Sequence, residues 1–340
     1  MSLLRRLLSS PPLYRWLVRP WLFRLEPERA QRVADTVLAA RPLWRALAPS
    51  PDSIAAPTEL AGIPLRNSLG LAAGLDKRCA YLGSLGHLGF GYVVGGTVTR
   101  HPRPGNPRPR VLREVGRRSL INALGFPSEG LEAAVKHLAA LDDRPARVLV
   151  STAALEEAET EECLRALEPW VDGVELNISS PNTAGLRRFQ EPVALRGLLG
   201  RLNAARTKPL FIKLPPYTDD AGRESVLSLA RVCRESGVSG VTAINTMPVE
   251  DARLAMGRGG LSGAAITGHM LRIVPELRAE VGPGLAINAC GGVGSAQDAL
   301  AALAAGADTV QLYSAMVYEG PGLIVRIAQG IARERRGVNA

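Results

Sequence analysis

Eight short apolar runs, set apart by helix-like segments or loops, constrain this 340-residue chain more than any other feature. They fall at 69–73, 92–97, 147–152, 173–178, 209–214, 240–245, 285–290 and 309–313. Helices are expected between them at 131–141, 156–167, 192–205, 221–236, 264–281 and 295–305. Strands alternating with helices predict a parallel sheet, and near-continuous apolar strands are those buried on both faces. Eight units in about 280 residues fit an α/β fold of the (β/α)8 TIM-barrel type. A doubly wound open sheet is the competitor. It usually shows a Gly-rich phosphate turn after its first strand and an acidic residue about twenty positions on. Gly70–Gly74 matches that pattern poorly, which favours the barrel.

Polar residues gather at the C-terminal ends of these runs, where barrel enzymes place their active sites. Lys77 follows the first and Thr97 ends the second; Asn177, Ser179, Ser180 and Asn182 cluster at the fourth. Lys213 ends the fifth, Asn245 and Thr246 the sixth, and Tyr313 and Ser314 the eighth. Gly291-Gly292 after the seventh run and Tyr313-Ser314 flank the usual barrel phosphate site. Gly259–Gly263 is expected to add loop amides to it, since glycines let backbone N–H groups approach an anion. In NISSPNT (177–183), the amides suit a ring of alternating C=O and N–H groups. An Asx or Ser turn explains the same residues equally well. Lys213 closes an apolar strand, so its head either meets an anion or reaches solvent. His87 and His137 are expected in helices, His101 in a loop and His269 early in a helix, so none offers itself as a base. No metal-ligand spacing is present. An organic cofactor is therefore expected to carry the chemistry.

Charge sets the first 50 residues apart. The chain carries 41 basic and 32 acidic residues, a net charge of +9. Residues 1–50 hold nine arginines against Glu26, Glu28 and Asp35, which is six of those nine charges, and three of the four tryptophans (Trp16, Trp21, Trp44). A nucleic-acid groove would spread its basic residues over the folded body; a basic arm with aromatics suits an anionic membrane surface. The competing reading is a helical cap packed on the body. Leu3, Leu4, Leu7 and Leu8, then Leu13, Trp16 and Leu17, form an apolar face until Pro20 interrupts it. A helix is expected over 28–47, with Ala30, Val33, Ala34, Val37 and Leu38 on one side and a break near Pro42. The expected domains are an arm at 1–50, a linker at 51–58 and a catalytic barrel at 59–340. At 46% apolar and 21% charged residues the chain is not of the disordered class. No uncharged apolar run reaches the roughly 18–20 residues of a membrane span. Four scattered cysteines imply neither a disulfide scaffold nor a zinc site, and suit a reducing compartment.

The same residues carry a family resemblance. LFRLEPERA, NSLGLAAGLDK, GTVTRHPRPGNPRPRVLRE, INALGF, NISSPNTAGLR, IKLPP, AINT, GGLSG and VQLY, spread from about residue 13 to residue 332, resemble class 2 dihydroorotate dehydrogenases. This is the FMN- and quinone-dependent, membrane-associated type. The resemblance implies oxidation of (S)-dihydroorotate to orotate in de novo UMP synthesis, on the cytoplasmic face of a bacterial inner membrane. Ala73 and Gly74 would pack on FMN, and Thr97, Ser151, Asn177, Lys213, Gly263, Gly292, Tyr313 and Ser314 would bind it. Lys77, Asn122, Ala123, Leu124, Gly125, Phe126, Asn177, Asn182, Asn245 and Thr246 would hold the substrate. Ser180, rather than the cysteine of class 1, would remove the C5 proton, with Thr183 and a water beside Phe126 as its route. Quinone would arrive from the arm side near Arg110 and Tyr313. No metal and no nucleic acid are implied.

Three positions depart from the family pattern. Ser151 stands where an asparagine is usual, Gln31 where a histidine is usual, and Ile244 where a threonine is usual. They leave open an alternative: a divergent FMN-binding paralogue with altered substrate or acceptor, or lost activity.

Overall fold

The computed structural model describes residues 11–179 and 184–337. Eight parallel strands close into a barrel: β1 (Leu69–Leu71), β2 (Tyr92–Val98), β3 (Arg147–Ala153), β4 (Gly173–Asn177), β5 (Leu210–Lys213), β6 (Gly240–Ala243), β7 (Ala286–Cys290) and β8 (Thr309–Leu312). Each pairs with its neighbours in sequence, and β8 closes on β1. All eight expected runs hold a strand. The helices Leu131–Ala139, Glu157–Leu167, Pro192–Ala205, Asp220–Glu235, Thr267–Val281 and Ala296–Ala304 pack outside, close to their expected limits. The outward strand residues and the inner helix faces form the main core, with Val93, Val148, Val174, Ile212, Val241 and Ile287 at most 1% exposed.

The N-terminal end of the barrel is plugged by a hairpin, Thr58–Leu60 with Ile63–Leu65. Its Leu60, Ile63 and Leu65 pack on Tyr92, Val94, Leu149 and Phe211 inside the barrel, a second small core. Gly70 is required here. A Cβ at this position would stand 2.6–2.7 Å from the Cε atoms of the Tyr92 ring, so only glycine lets that ring lie across the barrel.

At the opposite end, four short strands form an antiparallel sheet in the order Met247–Glu250, Arg258–Gly263, Ser119–Asn122, Val111–Glu114. This corrects the expectation of a loop at Gly259–Gly263. Those residues are paired on both sides, with Met247–Glu250 and with Ser119–Asn122, so most of their amides serve the ladder rather than a ligand. His87 lies in the turn just after the helix Leu82–Gly86 rather than within it.

The arm differs from expectation in three ways. Pro20 does not interrupt it: Pro11–Leu13, a π-helical stretch Tyr14–Val18 and Arg19–Arg24 run on continuously. The wider π turn precedes the residue that cannot donate an N–H. The expected helix over 28–47 is two helices, Pro27–Leu38 and Arg41–Leu47, with the break at Ala39–Ala40. Pro42 opens the second helix, where its missing N–H costs nothing. Glu26 caps the first, its carboxylate accepting from the N–H groups of Glu28 and Arg29. Trp44 is only 9% exposed and its indole donates to Val37 O at 2.9 Å, so it is a core residue rather than part of an outward aromatic face. Within the expected linker, Pro51–Ile54 is a helical turn, and Ile54 is fully buried. Leu3, Leu4, Leu7 and Leu8 lie outside the described residues.

Candidate active site

One cavity of about 910 Å³ runs from the C-terminal mouth of the barrel up between the arm helices. Ala73, Gly74, Lys77 and Thr97 line it from β1 and β2, and Asn122, Leu124, Gly125 and Phe126 from the antiparallel sheet and the loop that follows. Asn177, Lys213, Asn245 and Thr246 come from β4, β5 and the end of β6. Gly263, Gly292, Tyr313 and Ser314 complete the far wall. Ser180, Asn182 and Thr183 lie outside the described residues.

Two of the expected contacts are not on this wall. Ser151 is fully buried behind Thr97, with the two hydroxyl oxygens 3.2 Å apart. It meets that residue and does not line the cavity. Ala123 is also fully buried and acts through its backbone. Its N–H donates to Arg110 O at 2.9 Å, and its carbonyl accepts from Asn106 Nδ2 at 2.9 Å. Beyond Leu124, two residues have positive φ, Gly125 at 69° and Phe126 at 57°. Phe126 is thus a bulky side chain in a left-handed conformation, the kind of local strain that concentrates at binding sites.

Asn177 satisfies both readings of its motif. Its Oδ1 accepts from the Ser179 N–H at 3.1 Å, an Asx turn, which leaves the amide hydrogens for a ligand. Ser179, whose role the spacing did not reveal, pins two strands together. Its hydroxyl donates to Asn177 Oδ1 at 3.3 Å and accepts from Asn245 Nδ2 at 2.9 Å. Asn245 Oδ1 in turn accepts from the Thr246 N–H at 2.8 Å. Amides from β4 and β6 are therefore fixed in orientation before any ligand arrives.

The phosphate-type turns are pressed together. Gly263 and Gly292 have φ of +89° and +80°. A Cβ on Gly292 would stand 2.7 Å from Thr267 N and 2.8 Å from Gly263 O; one on Gly263 would stand 2.7 Å from Arg118 O. Beside them Ser314 and Ser262 share a hydroxyl hydrogen bond of 2.9 Å. These turns and hydroxyls fit a phosphate-bearing cofactor.

Lys213 is 5% exposed and opens on the cavity. No hydrogen bond or ion pair ends on its ammonium among the described residues. Lys77 donates to Gly74 O at 2.6 Å. Burial pushes its pKa down, against the pull of Asp35, Glu28 and Asp76. Burial, with Asp35 nearby, pushes the Tyr313 phenol up to about 12, so it is neutral and can donate.

The arm side of the cavity is walled by Ala30, Val33, Ala34, Val37 and Leu38. Gln31 also lines it and donates to Asp35 Oδ1 at 2.8 Å. Glu28 joins the arm to the body through Arg110 at 2.8 Å and Arg108 at 2.8 Å. Burial would raise the Glu28 pKa, but the hydrogen bonds and charges of these two arginines hold it below the usual carboxylate range.

A cavity at the C-terminal mouth of a (β/α)8 barrel, with convergent amides and two lysines, is the working end of a barrel enzyme. The chain belongs to the dihydroorotate dehydrogenase family, which residues 55–334 match, and is an oxidoreductase. It is 38% identical to a protein of Verminephrobacter eiseniae named dihydroorotate dehydrogenase (quinone), over 93% of this chain and 94% of that one. It is 39% identical to the protein of the same name from Acidovorax sp. strain JS42, over 93% and 97%. The fold resembles the crystal structure of Eimeria tenella DHODH in complex with ferulenol, with a TM-score of 0.81, 25% identity and coverage of 93% and 96%.

Proposed function

We propose that the protein oxidises (S)-dihydroorotate to orotate in de novo UMP synthesis, with FMN as hydride acceptor and a membrane quinone as terminal acceptor. The observation that carries this reading is Lys213, a buried ammonium at the cavity wall without a hydrogen-bonding partner among the described residues, beside glycine turns that fit a phosphate. A buried cation needs an anion, and FMN supplies both a phosphate and a ring that takes up negative charge on reduction. When bound, FMN would accept the C6 hydride and pass the electrons on to quinone. Thr97, Asn177, Lys213, Gly263, Gly292, Tyr313 and Ser314 would hold it, with Ala73 and Gly74 against its ring.

Lys77, Asn122, Asn177, Asn182, Asn245 and Thr246 would orient the substrate, within the loop Leu124–Phe126. Ser180 Oγ would take the C5 proton. A free serine is a weak base, so it depends on a proton route, for which Thr183 and Phe126 are the candidates. The arm would lie in the membrane interface on the cytoplasmic face, with Trp16 (78% exposed) and Trp21 (68% exposed) among the lipid. No helix among the described residues is long and apolar enough to cross a membrane. Quinone would enter along the apolar wall of the helix Pro27–Leu38. The relatives give no support to the changed-substrate alternative.

An absorption spectrum before and after anaerobic dihydroorotate tests this. Yellow protein that bleaches is expected. Yellow protein that does not bleach would leave the cofactor and overturn the substrate; colourless protein would overturn both.

A further inference from the structure

The barrel interior beneath the cavity is polar, which a packed TIM-barrel core usually is not. Five side chains are joined across it. Tyr92 OH lies 2.7 Å from Thr309 Oγ1, and Thr309 Oγ1 donates to Asn288 Oδ1 at 2.6 Å. Asn288 Nδ2 donates to Thr242 Oγ1 at 3.3 Å, and Thr242 Oγ1 donates to Glu175 Oε2 at 2.8 Å. A hydroxyl has one hydrogen, so each assignment fixes the next. Thr309 spends its hydrogen on Asn288 and must accept from Tyr92; Thr242 spends its own on Glu175 and accepts from Asn288. Every dipole in the chain therefore points at Glu175.

Glu175 is 1% exposed, and its Oε1 has no hydrogen-bond partner among the described residues. Its position relative to the site follows from the strand register. Asn177 pairs with Lys213, and Lys213 with Thr242. Glu175 is two residues before Asn177 on β4, so it faces the same way one layer deeper. It lies directly under the layer that holds Lys213 and is bonded to that lysine's strand neighbour. Burial opposes charge on Lys213, yet Cys290 and Glu175 hold its pKa above the ordinary lysine value. Cys290 is itself a thiol pushed up by burial, hence neutral at pH 7. Glu175 is the acidic group among them.

We propose that Glu175 is a positioning residue acting through Lys213: it offsets part of the ammonium's charge, which lowers the reduction potential of the bound flavin. The physical basis is that a lone buried cation beside the cofactor would over-stabilise the negative charge added on reduction. Electrons would then be held rather than released to an acceptor. A carboxylate one layer down moderates that field without touching cofactor or substrate. This rests on the flavin reading above.

The test is the midpoint potential of the bound flavin, measured by dye equilibration in wild type, Glu175→Gln and Glu175→Met. Both substitutions remove the charge; only glutamine keeps the acceptor for Thr242. Both potentials should rise, by about tenfold in the reduction equilibrium, ~30 mV for two electrons. An unchanged or lowered potential in both overturns the proposal, as does a rise in Met alone, which would mark a structural role. Should neither variant fold, the wild type decides. With 13C-labelled glutamate, its infrared difference spectrum on flavin reduction should contain a shifted buried carboxylate band, and the absence of that band overturns the proposal. Colourless wild-type protein would instead defeat the flavin reading, and this assignment with it.

Discussion

Trp16 and Trp21 on the arm are 78% and 68% exposed, whereas Phe90, Tyr92 and Phe211 in the barrel are fully buried. Burying a large apolar side chain contributes about 1.5–3 kcal/mol, so the barrel uses its aromatics for stability and the arm leaves two of the largest unused. Yet the arm is not loosely attached. Tyr14 OH donates to Val317 O at 2.9 Å, Phe23 packs edge-on against Tyr318 at 5.5 Å, and Arg15 pairs with Glu319. One face of the arm is thus a cap, and the exposed face is the one proposed to meet the membrane. On that proposal two half-reactions are separated, one seated in the barrel and one dependent on what the arm meets.

The sharpest way to break it is Ser180→Ala. Stopped-flow bleaching by dihydroorotate should slow by about 10²–10⁴-fold, the usual contribution of a positioned base, with FMN content and vesicle binding unchanged. Bleaching at wild-type speed would remove Ser180 from the base role.

Replacing both exposed tryptophans, Trp16→Ala with Trp21→Ala, should do the reverse. Two partly inserted rings together are worth about 3 kcal/mol, so partition onto anionic vesicles should fall by about 100-fold. Single-turnover bleaching should stay at wild-type speed, while turnover with a long-chain quinone in vesicles should drop. Sedimentation with vesicles at wild-type levels would leave the arm as a structural cap alone.

Ser151→Asn sharpens the comparison from inside the barrel. The longer side chain has no space behind Thr97 and should cost about 1–3 kcal/mol by overpacking, lowering the melting temperature and weakening orotate binding. Orotate affinity above wild type would show instead that the amide reaches the cavity.

The strands were legible because each is an apolar run with a polar residue at its C-terminal end. That pattern also located Lys213, Asn177 and Asn245. The antiparallel sheet over the mouth was not legible. Its strands are four to six residues long and read VLRE, SLIN, MPVE and RGGLSG, without a sustained alternation, and the pairing that joins its two hairpins links residues distant in sequence. Ser151 was placed by analogy with an asparagine, and its burial off the cavity wall was not legible from that analogy. Glu175 was missed for a related reason. In a five-residue strand one acid among apolar neighbours does not reveal which face it takes, and only the closed register shows that it points inward.

One side chain ties the two regions together. Arg110 gives its Nε and Nη2 hydrogens to Glu28 of the arm, and its Nη1 to Pro104 O at 2.7 Å and Asn106 O at 2.9 Å. Asn106 in turn donates its N–H to Leu124 O and its side-chain amide to Ala123 O, in the very segment proposed to enclose the substrate. One guanidinium and one amide therefore connect the arm to the segment Ala123–Leu124 at the cavity. The proposed lipid-facing arm and the proposed substrate pocket would share a mechanical linkage two residues long.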